Sequence, residues 1–134
     1  MSDANKVATR QFFDRLNAGD LTLIDDLVSD DFVEHEVFPG LEPNKAGLHQ
    51  LFEGFHAAFR DGKFEVDDLI AEDDKVFVRA RMTGVHQGEF MGIPTTGRTI
   101  NVGVGDYLRF DDGLIVEHWG VMDTGALMQQ LTGG

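Results

Sequence analysis

The chain has 134 residues, 42% of them hydrophobic, and a formal charge of −13 from 11 basic and 24 acidic side chains. A polyanion repels phosphate backbones and anionic lipid, and Arg79 and Arg81, the nearest thing to a basic patch, fall on one exposed strand face, so nucleic-acid and membrane partners are not expected. The absence of cysteine excludes disulfides, thiolate metal sites and a cysteine nucleophile, and suits a reducing cytoplasm.

The N-terminus, MSDANKVATRQFF, lacks an apolar signal core, and no stretch nears the ~20 apolar residues of a membrane span. No repeat or linker interrupts the sequence, so one domain over residues 1–134 is expected. A helical first half and a strand-rich second half predict an α+β fold rather than βαβ units. Asp3 is placed to cap a helix carrying Val7, Phe12, Phe13 and Leu16, ended by Gly19. Asp20 is placed to cap a short second helix with Leu21, Ile24, Leu27 and Val28. DDFVEHEVFPG alternates loosely and ends in Pro-Gly, which reads as a short strand and a turn. Asn44 then caps a third helix running to Arg60, with Leu48, Leu51, Phe52, Phe55 and Phe59 at helical spacing. After an Asp61-Gly62 turn, strands are expected over 63–72, 75–87, 98–110 and 114–122, the first two joined tightly by Asp73-Asp74. TGALMQQL closes the chain as a short helix.

Asp111, Asp112 and Gly113 fit a three-residue hairpin loop with Gly113 in the left-handed position. That loop sets Phe110 opposite Leu114, Leu108 opposite Val116, Asp106 opposite His118 and Val104 opposite Gly120, with Met122 on the same face. This face is apolar except for one acid and one imidazole. The other carries Tyr107, Arg109, Ile115, Glu117, Trp119 and Val121. A loop of two or four residues would put Trp119 opposite Asp106 instead.

A carboxylate on an apolar face is costly unless it is paired or neutral. Asp106 and His118 would then titrate as a coupled pair, suited to moving a proton near neutral pH; the plainer alternative is an Asp106 satisfied by backbone amides or water near a sheet end. His35, beside the Pro-Gly turn, is a candidate second base or hydrogen-bond partner, and His86, at a strand end before Gln87-Gly88, is another. His49 and His56 border the Phe stripe of the third helix. There is no H-x-H, H-x-x-x-H or H-E-x-x-H, and Glu34, His35 and Glu36 alternate along a strand and so cannot converge as a trio on one ion; no metal or other cofactor is expected. The GVG at 103–105 lacks the rest of a dinucleotide fingerprint, and no G-x-S-x-G elbow is present. Eleven Phe against one Tyr supply many rings without a hydroxyl, and a cavity lined by them would favour flat apolar molecules.

The run GEFMGIPTTGRTINVGVGDYLRFDDGLIVEHWGVMDTGALMQQL resembles the C-terminal half of SnoaL-like polyketide cyclases, through Gly-x-Pro-x-Thr-Gly-Arg, the Arg-Phe-x-Asp-Gly turn and Glu-His-Trp-x-x-x-Asp in that order. RQFFDRLNAGDLTLIDDLVSDDFVEHEVFPG resembles the start of the wider superfamily of ketosteroid isomerases and nuclear transport factor 2. The resemblance implies a cone-shaped α+β barrel, its highly curved, mainly antiparallel sheet wrapped around three N-terminal helices with the pocket inside. It implies that Asp106 is the acid–base residue. It puts His35 where the isomerases keep a general-base aspartate and Phe12 where they keep an oxyanion-hole tyrosine, and both departures argue against their steroid chemistry. It also implies a homodimer through the outer sheet face, where Tyr107 and Trp119 lie.

The expected activity is that of a polyketide cyclase-like enzyme acting on a small apolar or aromatic carbonyl compound. Asp106, tuned by His118, would remove a proton α to a carbonyl, His35 or His86 would assist the oxyanion, and intramolecular aldol closure or isomerisation would follow. Phe12, Phe52, Phe55, Phe59, His86, Leu108, Val104 and Met122 are the expected substrate contacts. Two readings compete with this one: epoxide hydrolysis by an Asp-Arg-Asp relay in which Asp123 joins Asp106, and a non-catalytic module that binds a small apolar ligand.

Overall fold

The computed structural model describes residues 2–133. Helix α1 (Ser2–Asn17) turns Phe12, Phe13 and Leu16 inward. It starts at Ser2, so Asp3 lies in its first turn, where its charge suits the helix dipole, and not at the cap. Gly19, at φ +80°, takes the left-handed conformation that ends the helix. Arg15 reaches Asp20 at 2.9 Å and Asp26 at 2.8 Å, tying α1 to α2 (Leu23–Leu27). Asp20 accepts from the Thr22 backbone at 3.1 Å, but α2 begins three residues beyond it.

Strand β1 (Val28–Glu34) leads through an irregular loop to α3 (Lys45–Ala58), which Asn44 caps by accepting from the Gly47 N–H at 3.1 Å. A Cβ at Gly47 would lie 1.8 Å from the Glu42 carbonyl oxygen, so that glycine lets the loop lie directly on the helix. Helix α3 passes straight into β2 (Phe59–Glu72). The expected Asp61-Gly62 turn is instead a bulge: Asp61 is left-handed at φ 56°, and pairing with β3 (Lys75–His86) shifts between Arg60 and Lys63. An extra residue inside a ladder bends the strand without ending it. Strands β4 (Thr99–Asp111) and β5 (Leu114–Met122) form the last hairpin, and α4 (Thr124–Thr132) follows.

The sheet order is β1-β5-β4-β3-β2, antiparallel throughout except for the parallel β1–β5 pair, and the sheet curls without closing. This is the α+β cone expected from the sequence, with a fourth helix at its end. Leu16, Leu23, Val76 and Val78 are fully buried under the N-terminal helices, each stabilising the fold by roughly 1.5–3 kcal/mol. A second cluster, of Phe55, Phe59, Met82, Ile100, Val102, Leu127 and Leu131, is closed by α4. No helix among the described residues is long and apolar enough to cross a membrane.

The β4–β5 hairpin corrects the expected register in two steps of one residue each, which together restore the parity. The loop has two residues, Asp112 (φ 51°) and Gly113 (φ 78°), with Asp111 opposite Leu114 and Phe110 opposite Ile115. Ile115 is therefore buried in the core and not on the outer face. The register then shifts, leaving Val116 as the extra residue, and Arg109 faces Glu117 and Leu108 faces His118. Asp106 lies opposite Gly120, Val104 opposite Met122 and Tyr107 opposite Trp119. Beyond the bulge the parity is thus the expected one, with each partner displaced by two.

Candidate active site

Because Gly120 has no side chain, His118 can lean diagonally into the space opposite Asp106, and its Nε2 lies 2.7 Å from Asp106 Oδ1. On the other side, parallel pairing sets Glu34 directly beside His118, and Nδ1 bonds Glu34 Oε2. All three side chains are largely buried, with exposures of 14% for His118, 6% for Glu34 and 17% for Asp106. Burial by itself would push the imidazole down, but hydrogen bonds to Asp106 and Glu34, with the charges of both carboxylates, raise it to about 10. His118 is thus an imidazolium that donates from both ring nitrogens.

A third acid completes the group. Glu36, two residues beyond Glu34 and so on the same side of the chain, stands against Gly120, where an added Cβ would fall 2.0 Å from its Oε1. Burial first, then repulsion from Asp106 and Glu34, pushes its carboxyl up to about 7 against the opposing pull of His118. Glu34, Glu36 and His118 each offer one atom within 4.8 Å of the others, but an imidazolium bonded through both nitrogens has no lone pair to give a cation. The sequence does carry the signal for both glutamates, since alternation that turns His35 outward turns its neighbours on both sides inward.

The acids open onto a cavity of about 90 Å³ lined otherwise by apolar side chains, among them Phe12, Phe32, Phe52, Phe55, Phe64 and Leu108. Of the residues expected to touch substrate, Phe12, Phe52, Phe55 and Leu108 line this cavity. Phe59, 1% exposed within the second cluster, and Val104 and Met122, which pack against that cluster, do not line the cavity.

Two histidines are displaced from their expected places. His35 lies outside, stacked on Trp119 with ring centroids 4.5 Å apart and bonded to Glu117 at 2.8 Å, because residue 35 has the opposite parity to Glu34 and Glu36. His86 is wholly buried behind the cavity lining. Its Nδ1 accepts from the Thr96 backbone N–H at 3.2 Å, and its own backbone bonds Gly97 and Arg98, so it anchors the loop that carries Phe90 to the cavity. Asp123 caps α4 by accepting from the Ala126 N–H at 3.0 Å, and no arginine lines the cavity, so an Asp-Arg-Asp relay does not assemble there.

A curved α+β cone thus holds an acid–imidazole–acid chain against an aromatic cavity inside its sheet. The chain belongs to the SnoaL-like polyketide cyclase family, whose sequence model matches residues 6–131. Among solved structures it is similar to AclR, a candidate hydroxylase from Streptomyces galilaeus, at 34% identity and TM-score 0.88 over 100% of this chain and 99% of that one. TsrD from Streptomyces laurentii is 28% identical with TM-score 0.88, over 96% and 95% of the two chains. IdmH, a candidate polyketide cyclase from Streptomyces antibioticus, is 29% identical with TM-score 0.83, over 96% and 98%. No curated protein matches the sequence.

Proposed function

We propose that this protein is a polyketide cyclase-like enzyme in which Asp106 removes a proton α to a carbonyl of an apolar, aromatic substrate, leading to intramolecular aldol closure or isomerisation. The observation that carries this reading is the Glu34–His118–Asp106 chain, which opens onto a cavity walled by phenylalanine. His118, held by Glu34, keeps a positive charge beside Asp106 and orients it, while no other group among the described residues bonds its Oδ2. The surrounding rings exclude water from the reacting carbon.

The test is exchange of the α-protons of an aryl 1,3-diketone into D2O, followed by NMR. Asp106→Asn keeps the shape and removes the base, so enzyme-dependent exchange should fall by roughly 10²–10⁴-fold. Undiminished exchange would remove Asp106 from the chemistry. The 34% identity with AclR favours hydroxylation as a second reading. Product mass separates the two, because aldol closure leaves the mass unchanged and hydroxylation adds one oxygen.

The same reading extends to assembly and setting. Phe77, Tyr107 and Val121 are exposed on the outer sheet face at 39%, 38% and 70%, an apolar strip suited to a second copy of the chain. Val121→Glu should then convert a dimer to monomer in sedimentation; a wild-type protein that already sediments as a monomer refutes this. A cytoplasmic setting accords with the cysteine-free sequence.

A further inference from the structure

The site as described has a base but no obvious electrophile. Four polar side chains line the cavity: Glu34, Glu36, Asp106 and His118. Both N–H groups of His118 are taken, one by Asp106 and one by Glu34. The remaining lining is hydrocarbon and aromatic, so among the described residues no lysine, arginine, hydroxyl or amide side chain faces the space where a carbonyl oxygen would gain charge. An enolate formed there with no donor would carry its charge into a nonpolar wall, which is the costliest place for it.

Glu36 can fill that gap. Its backbone N–H bonds Glu34 Oε2 at 3.1 Å, fixing the chain at this point, while its carboxyl makes no side-chain hydrogen bond among the described residues. The groups that face it are His118 from β5, Asp106 from β4 and Glu34 from β1, with Glu42 lining the adjoining cavity from the loop before α3. The imidazolium contributes +1 and the carboxylates of Asp106 and Glu34 contribute −2, leaving −1 before Glu36 is counted. Ionising Glu36 as well would leave −2 in a partly buried cluster, and holding a proton avoids this. Its carboxyl is accordingly displaced upward to about 7. An apolar site that keeps a carboxylic acid neutral so that it can donate a hydrogen bond is an established device in enolate chemistry.

Glu36 also stands at a boundary. Together with Glu34 it lines both the Phe-walled cavity and a second cavity of about 230 Å³ beneath the loop that runs through Val37, Leu41 and Pro43 to α3. It therefore faces the reacting volume on one side and a separate opening on the other.

Deepening the reading proposed above, on which it rests, we infer that Glu36 is the proton donor of the site, hydrogen-bonding the substrate carbonyl through its neutral carboxyl and exchanging that proton through the second cavity. In the forward step the substrate C–H bond breaks and its proton goes to Asp106. The electron pair moves into the new C=C bond, and the carbonyl oxygen takes the Glu36 proton, leaving Glu36 a carboxylate. When the enol carbon attacks the second carbonyl of the same molecule, the enol O–H returns its proton to Glu36, and the new alkoxide takes the proton held on Asp106. No net proton is gained or lost.

The experiment uses acetophenone labelled with ¹³C at its carbonyl as the probe, and reads the infrared stretch of the bound carbonyl. In the wild-type protein below pH 7 the stretch should move to lower frequency than in hexane, and this shift should fade as pH rises through 7 and Glu36 ionises. Glu36→Leu should abolish the shift and weaken probe binding by about tenfold, the value of one neutral hydrogen bond. Glu36→Gln, nearly isosteric and still a donor, should retain a smaller shift that no longer depends on pH. An unshifted wild-type stretch, an equal shift in Glu36→Leu, or no binding of acetophenone would each overturn the inference. Saturable Mn²⁺ binding at pH 8 that disappears in Glu36→Leu would also overturn it, since a cation rather than a proton would then balance the charge. Asp106→Asn separates the two proposals: if the carbonyl shift persists while diketone exchange is undiminished, the base assignment fails and the donor stands.

Discussion

His118→Ala should destabilise the protein by about 3–5 kcal/mol at pH 7, because it strands two buried carboxylates without the cation that holds them. For a chain of 134 residues this corresponds to a drop of roughly 10 °C or more in Tm, measurable by calorimetry. The pH dependence identifies the cause. The imidazole is raised from 6.5 to about 10 in the fold, so its contribution is complete below pH 6.5 and is lost as pH rises through 10. Wild-type stability should therefore decline between pH 6.5 and pH 10 and level off beyond, and the variant should lack that decline. A deficit that stays constant from pH 4 to pH 10 would mean that His118 contributes packing and not charge. Diketone exchange should fall as well, since Asp106 loses the partner that orients it.

Gly120→Ala should injure the site more than the fold. The new methyl group would lie 2.0 Å from Glu36 Oε1, 2.9 Å from Glu36 Cδ and 2.7 Å from His118 Cε1. His118 cannot move aside, because both of its nitrogens are bonded, so Glu36 must swing out of the cavity. Overpacking of this kind costs about 1–3 kcal/mol. The sharper effect is electrostatic: once in solvent, Glu36 should titrate well below its displaced value of about 7, a change readable from its ¹³C carboxyl shift. Catalysis that depends on the Glu36 proton should fall on the order of a hundredfold. Gly103→Ala is the control, since a Cβ there meets nothing within 4 Å, and it should leave stability within about 0.5 kcal/mol. If Gly120→Ala behaves like the control, the crowding around residue 120 has no functional meaning.

Glycine at 120 shows how local sequence and tertiary pairing divide the information. Alternation along β4 and β5 places Asp106 and His118 on one inward face whichever even register the strands adopt, so the pair was legible from residues 104–122 alone. The partner of Asp106 was not. A two-residue loop and a bulge at Val116 each move the register by one, and their sum decides that Asp106 faces a glycine and leaves His118 room to lean across. Turn residues such as Asp-Asp-Gly accommodate both loop lengths, and a bulge is set by packing on the facing layer, so neither is fixed locally.

The same division holds for the acids and the aromatic lining. Residue parity in the segment Phe32–Glu36 turns His35 one way and Glu34 and Glu36 the other, and this much the sequence determined. Which of the two sides faces the cavity depends on β1 joining β5 in parallel, a contact between residues more than 80 positions apart that no local pattern specifies. The helical spacing of Leu48, Phe52 and Phe55 made an apolar α3 face certain, yet only the tertiary structure decided that Phe55 both joins the second core and lines the cavity, while Phe59 and Met122 serve that core alone. Periodicity along one element fixes which residues point together; what they point at is set by other elements, through the burial of surface that belongs to both.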